Sequence, residues 1–162
     1  MVCNKFTEAD YHSPAGNIVL AFDGGVLVGL RFEDRNSSRS ECRGAGMLKV
    51  VRNWLDDYFC GKAPGVENIK YRLTGTPFQQ TVWAELAKIP YGSTATYGDI
   101  ARSTAVRMGC RQMSAQAVGN ALAKNPIAII VPCHRVAGAD GSLRGYAWGL
   151  DKKKFLLDLE RK

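Results

Sequence analysis

The chain has 162 residues, 46% of them hydrophobic, enough for one large domain or two small ones sharing a boundary. No run approaches the ~18 consecutive apolar residues of a membrane span, and Met1-Val2-Cys3-Asn4-Lys5 lacks the apolar core of a secretion signal. A soluble intracellular protein with no membrane partner is expected. Net charge is +7, unevenly spread: residues 1–74 carry ten Lys/Arg against nine Asp/Glu, residues 75–162 twelve against six. Such a surplus fits a face that meets a polyanion, and it equally suits a solvated basic surface.

In chain order, Gly16–Phe22 and Val26–Phe32 are apolar runs around Asp23-Gly24-Gly25, the pattern of a β-hairpin. After the polar stretch Glu33–Gly46, the residues Leu48, Val51, Leu55 and Tyr58-Phe59 recur at helical spacing, with Gly61 and Pro64 as stop signals. This part reads as a small α/β unit without evident chemistry. A second unit opens at Gly75. Thr76 can cap a helix with Pro77 in its first position, carrying Phe78, Val82, Trp83 and Leu86 as its apolar stripe and stopping at Ile89-Pro90-Tyr91-Gly92.

Thr96 caps a further short helix, Tyr97–Arg102, and Met113 or Ser114 starts another that ends near Ala123 before Asn125-Pro126. Two short helices and a connector suggest a helix-turn-helix. In the second of them Ala115, Val118 and Leu122 suit the core, while Ser114, Ala117 and Ala121 form a small-residue face that permits close approach to a helix or a DNA groove. Ile127–Val131 is a β-branched run between two prolines and reads as a buried strand or extended segment. Gly138, Gly141 and Gly145 mark a loop. Leu150–Glu160 forms the last helix, with Leu150, Phe155, Leu156 and Leu159 inward and Lys152–Lys154 solvated.

The cysteines are Cys3, Cys42, Cys60, Cys110 and Cys133, an odd number without a CxxC pair, so free thiols are expected rather than disulfides. With only His12 and His134 available, no metal site is expected. A lone cysteine is usually a small buried hydrophobe. Cys133 differs in its context: it ends the apolar run and precedes His134-Arg135, neighbours that can lower a thiol pKa. That activation matters, because an ordinary thiol is only a few per cent ionised near neutrality.

Pro132-Cys133-His134-Arg135-Val136 resembles the active-site motif of the O6-alkylguanine-DNA alkyltransferases, the methylated-DNA–protein-cysteine methyltransferases. The resemblance extends to Thr76–Trp83, Ile89–Gly92, Thr94–Tyr97, Ala117–Ala121, Asn125-Pro126, Gly145–Leu150 and Lys153–Glu160, and more loosely to Ser13–Gly16 with the adjoining strands. It implies an α+β protein: an N-terminal structural domain over 1–74, small, α/β and ribonuclease-H-like, then a mainly helical DNA-binding and alkyltransferase domain over 75–162. It implies single-turnover repair of double-stranded DNA, with an alkyl group passing from O6 of guanine, and from O4 of thymine, to Cys133. No cofactor is needed, and the protein is expected to be a monomer, cytoplasmic in a bacterium or archaeon and nuclear in a eukaryote.

By the same resemblance, Glu160 orients His134, which takes the Cys133 proton through a water, and Asn125 braces the turn. Tyr97 donates to the departing base. The carbonyls of Cys133 and Val136 accept from its exocyclic amine, the Ala147 amide faces O6, Tyr146 closes the pocket, and Ala128 lines its entrance. Ser114, Gln116, Ala117, Gly119, Ala121 and Arg135 meet DNA. The family carries an arginine where this chain has Gln116, and the connector to that helix is longer here and brings in Arg107 and Arg111. Either Gln116 holds the vacated base stack less well, or one of those arginines substitutes. Three rivals remain: a lesion-binding relative that does not react, against which the presence of Cys133 argues; a Cys133/His134 hydrolase; and a helix-turn-helix regulator with an incidental cysteine.

Overall fold

The computed structural model describes residues 6–34 and 45–162, and the chain divides into two compact units, 1–73 and 74–162. Cys3 and Cys42 lie outside the described residues. No helix among the described residues is long and apolar enough to cross a membrane.

The first unit is a three-stranded antiparallel meander in the order β1 (Thr7–Ser13), β2 (Gly16–Asp23), β3 (Val26–Phe32), followed by helix α1 (Ala45–Phe59). The expected hairpin is β2–β3, with Leu20 opposite Leu30. Its two-residue turn places Gly24 and Gly25 at φ +56 and +83, the left-handed pair that matches the twist of the strands. Strand β1 has no sequence signal, because only its Ala9 is buried and the rest alternates among polar residues. Leu48, Val51, Leu55 and Tyr58 form the buried stripe of α1. Gly61, at φ +79, then lets the Gly61 and Lys62 amides fold back onto the carbonyls of Tyr58 and Asp57 and end the helix.

The second unit is built on α2 (Pro77–Leu86), α3 (Tyr97–Met108) and α4 (Ala115–Ala123), which pack on one another, with α5 (Leu150–Glu160) at the end of the chain. Thr76 and Gln79 form a reciprocal capping box on α2, as Thr96 and Asp99 do on α3. Two-residue strands β4 (Ala95–Thr96) and β5 (Val136–Ala137) pair in parallel. The expected helix-turn-helix is α3–α4. Helix α3 nevertheless runs past Arg102 to Met108, because Ser103–Met108 holds no breaker and Thr104 and Ala105 continue its buried face; Gly109, at φ +66, is the real terminator. The apparent excess connector is therefore partly helix.

Three further expectations are corrected. Residues 127–131 form no strand: the Ile130 amide donates to the Ala128 carbonyl (2.7 Å) around Ile129 at φ +67, and Val131 N donates to Ile127 O. The run is apolar because it is buried, and burial alone does not choose strand over turn. Ala121 is 2% exposed, since α4 turns Val118, Ala121 and Leu122 inward at helical spacing while Ala115 faces out. On α5, Leu150 and Phe155 are exposed, whereas Lys153 is fully buried beside Leu156, Leu157 and Glu160.

Candidate active site

Cys133 opens a single 3₁₀ turn, Cys133–Arg135, directly after the 127–131 turn. Asn125 holds both. Its Oδ1 accepts from Ile127 N (3.0 Å), and its Nδ2 donates to Val131 O (2.8 Å) and to Cys133 Sγ (3.2 Å). A β-branched residue at positive φ is a strained conformation that persists only when its surroundings impose it. Asn125 supplies that imposition at Ile129 by bonding the chain on both sides of it.

Cys133 is 3% exposed, and burial pushes its thiol pKa up to about 11. The Asn125 hydrogen bond and the charge of Lys153 pull the other way without overcoming it. Of the sequence neighbours, the His134 backbone also lowers it, but burial outweighs every lowering contribution: in this state Cys133 is a thiol, and its ionisation has to be coupled to a base. His134 is fully buried, and that burial lowers its pKa although Glu160 opposes the shift, so it rests neutral.

Glu160 fixes which nitrogen can act. Its Oε1 lies 2.7 Å from His134 Nε2 and accepts from Arg135 Nη2 (3.0 Å); its Oε2 accepts from Arg135 Nε (2.8 Å) and the Gly92 amide (3.2 Å). A carboxylate that already accepts from three fixed N–H donors is ionised and can only accept from the imidazole. His134 Nε2 therefore carries the hydrogen, and Nδ1 is the nitrogen with a lone pair to offer. Gly92 is required at its place: it sits at φ +74, and a Cβ there would meet the Glu160 carbonyl at 2.9 Å. Arg135 is corrected as a DNA contact. Its guanidinium forks onto Glu160, donates to Ile89 O (2.6 Å) and lies over the Tyr91 ring.

A cavity of about 860 Å³ has Cys133 in its wall together with Tyr97, Gln116, Gly119, Tyr146 and Ala147. Tyr97 Oη donates to Arg144 O (2.8 Å), and its pKa is raised by burial first and then by Cys133. The Tyr146 hydroxyl is buried without a hydrogen-bond partner among the described residues, and its ring meets Trp148 edge-on. Ala128 and Val136 are fully buried and do not line the cavity, because one lies inside the 127–131 turn and the other in the β4–β5 ladder. Ser114 Oγ caps α4 by accepting from Gln116 N and Ala117 N. Arg107 is on the last turn of α3 and reaches Glu85 (3.2 Å), and Arg111 is exposed; neither is part of the cavity wall.

Lys153 is the residue sequence reading missed. Its Nζ donates to Arg144 O (2.7 Å) and Gly145 O (3.4 Å) and lies 5.9 Å from the centre of the Tyr97 ring. It thereby ties the 144–147 loop and Tyr97 to α5. Nothing in Lys152-Lys153-Lys154 distinguishes the middle lysine; only the helical spacing to Leu156, Leu157 and Glu160 points inward.

Residues 77–162 match the family model for the 6-O-methylguanine DNA methyltransferase DNA-binding domain, just over half of the chain. The methylated-DNA–protein-cysteine methyltransferase of Mycobacterium leprae (strain TN) is 43% identical over 152 residues, 92% of this chain and 88% of that protein. That of Methanosarcina acetivorans is 40% identical over 165 residues, 94% and 96% of the two chains. The crystal structure of Mycobacterium tuberculosis O6-methylguanine methyltransferase superposes with a TM-score of 0.81 at 40% identity, covering 96% of this chain and 93% of that one. Mycobacterium tuberculosis OGT in complex with DNA gives 0.78 at 41%, covering 96% and 92%. A cysteine backed by a buried His–Glu pair, set in a cavity wall beside a helix-turn-helix, thus coincides with whole-chain similarity, and the chain belongs to the methylated-DNA–protein-cysteine methyltransferase family.

Proposed function

We propose that this protein repairs alkylated duplex DNA by direct reversal, moving the alkyl group from O6 of guanine, and secondarily O4 of thymine, onto Cys133 Sγ. The observation that carries this is the combination of three groups: a buried thiol in a cavity wall, a neutral imidazole next to it in sequence, and a fully ligated carboxylate that fixes the imidazole's tautomer. His134 Nδ1 takes the Cys133 proton through a bridging water. Sγ then bonds to the alkyl carbon while the carbon–O6 bond breaks, and its electron pair stays with the base. Tyr97 Oη, released from the Arg144 carbonyl, gives its proton to the departing guanine and is reprotonated at the expense of the His134 imidazolium through solvent, so the thiol proton is delivered in net to the base. The thioether is stable and no group resets it, which makes the reaction stoichiometric.

The reacting carbon is inaccessible inside a duplex, so the nucleotide is extruded into the cavity at a cost of a few kcal/mol. Helix α4 is the element suited to the groove. Its exposed Gln116 reaches the cavity edge and occupies the gap, Ser114 presents the helix N-terminus, and Gly119 and the half-buried Ala117 permit close approach. Residues 75–162 carry the chemistry, and one chain suffices. The non-reacting alternative has no need of a buried thiol with a dedicated base. Loss of lesion from an O6-methylguanine duplex should stop at one equivalent per protein; continued turnover would contradict the proposal.

A further inference from the structure

Among the described residues, two arginines belong to the wall of the Cys133 cavity, Arg102 on α3 and Arg144 in the loop before α5, and no Asp or Glu does. Their side chains are 76% and 67% exposed. Among the described residues, each is held by its own local segment: Arg102 by Asp99 three residues earlier, Arg144 by Asp140 (3.0 Å) and Ser142 Oγ (2.8 Å). Exposed pairs of this kind contribute little and exchange readily. The contrast with Arg107 and Arg135 is plain, since both engage carboxylates that are themselves buried, Glu85 and Glu160. Arg102 and Arg144 are thus loosely held cations on opposite chain segments of one opening.

We infer that Arg102 and Arg144 form a clamp for the backbone phosphates flanking the nucleotide that enters the cavity. The inference rests on the DNA-repair reading above and names its phosphate-binding residues. An extruded nucleotide brings its two flanking phosphodiesters to the cavity mouth, where a guanidinium can present paired donors to phosphate oxygens. Gln116, on the same opening, carries no charge, so the local attraction comes from these two side chains. The Arg144 backbone is anchored as well: its carbonyl accepts from Lys153 Nζ (2.7 Å), a tie that remains when Tyr97 Oη turns to the base.

The test is a cycle between protein and DNA. Arg102→Gln and Arg144→Gln should each weaken binding to an O6-methylguanine duplex and each lower the salt slope by about one. Between 50 and 200 mM salt, each variant should then lose about 3.5-fold less affinity than the wild type. Arg→Lys should keep the slope. A neutral methylphosphonate 5′ or 3′ to the lesion should weaken the wild type and have little further effect on the variant lacking the matching arginine. Unchanged slopes, or losses that simply multiply across the cycle, would overturn the clamp while methyl transfer to Cys133 continued. Absence of transfer by the wild-type protein would instead overturn the underlying reading.

Discussion

Replacing Glu160 by Gln keeps the side chain's shape and removes its charge, and the geometry around it sets the consequence for His134. The carboxylate faces His134 Nε2, two nitrogens of Arg135 and the Gly92 amide. An amide offers one oxygen and one NH₂. With its oxygen toward Arg135 Nε and Gly92, the NH₂ confronts Arg135 Nη2 and His134 Nε2. The imidazole can satisfy that donor only by accepting at Nε2, which moves its hydrogen to Nδ1 and removes the lone pair intended for the Cys133 proton. The Glu160 side chain is 1% exposed, so a buried charge pair is broken, at roughly 3–5 kcal/mol. Loss of a positioned base lowers the transfer rate by roughly 10²–10⁴-fold. Rapid-quench single-turnover transfer from an O6-methylguanine duplex, well below the thermal transition and normalised to the folded fraction, measures the second effect. A folded variant within about threefold of the wild-type rate would refute the reasoning.

Asn125→Ala should lower stability by roughly 2–5 kcal/mol, because it leaves the Ile127 amide and the Val131 carbonyl without their buried partner; chemical denaturation measures it, and a loss below about 1 kcal/mol would contradict the bracing role. A thiol raised from 9.0 to about 11 contributes on the order of 2–3 kcal/mol of stability, fully present below pH 9 and lost as pH rises through about 11. This alkaline loss should shrink in Cys133→Ser, and equal alkaline profiles would argue against a buried thiol. His134, lowered by burial, acts in the other direction: its contribution is present above its ordinary 6.5 and is lost as pH falls. Lys153→Met removes the cation that draws the Cys133 pKa down and the donor to the 144–145 carbonyls. Transfer should slow by on the order of tenfold or more, and an unchanged single-turnover rate would remove Lys153 from the site.

Features encoded locally were legible in the sequence. Thr76-Pro77 and Thr96 start helices through their own side chains and backbone, and the Gly24-Gly25 turn follows from the left-handed freedom of glycine. What tertiary neighbours decide was not. The 127–131 run is apolar in either a strand or a turn, and the Asn125 clamp selects the turn. Ala121 looks like part of a smooth outer face until its carbonyl is seen accepting from buried Trp83 Nε1. Arg135 and Lys153 carry charge and therefore read as surface residues; each is drawn inward by an acceptor distant in sequence, Glu160 for one and the 144–145 carbonyls for the other. The same distance hid the rise in the Cys133 pKa, since its sequence neighbours are polar while its spatial ones bury it.

The chemistry is tested most directly by mass spectrometry of the protein after incubation with an O6-methylguanine duplex. The account predicts one methyl mass added per chain, on the peptide containing Cys133, together with loss of the lesion from the DNA. An unchanged mass, or a methyl group carried instead on the exposed Cys60 or Cys110, would contradict it.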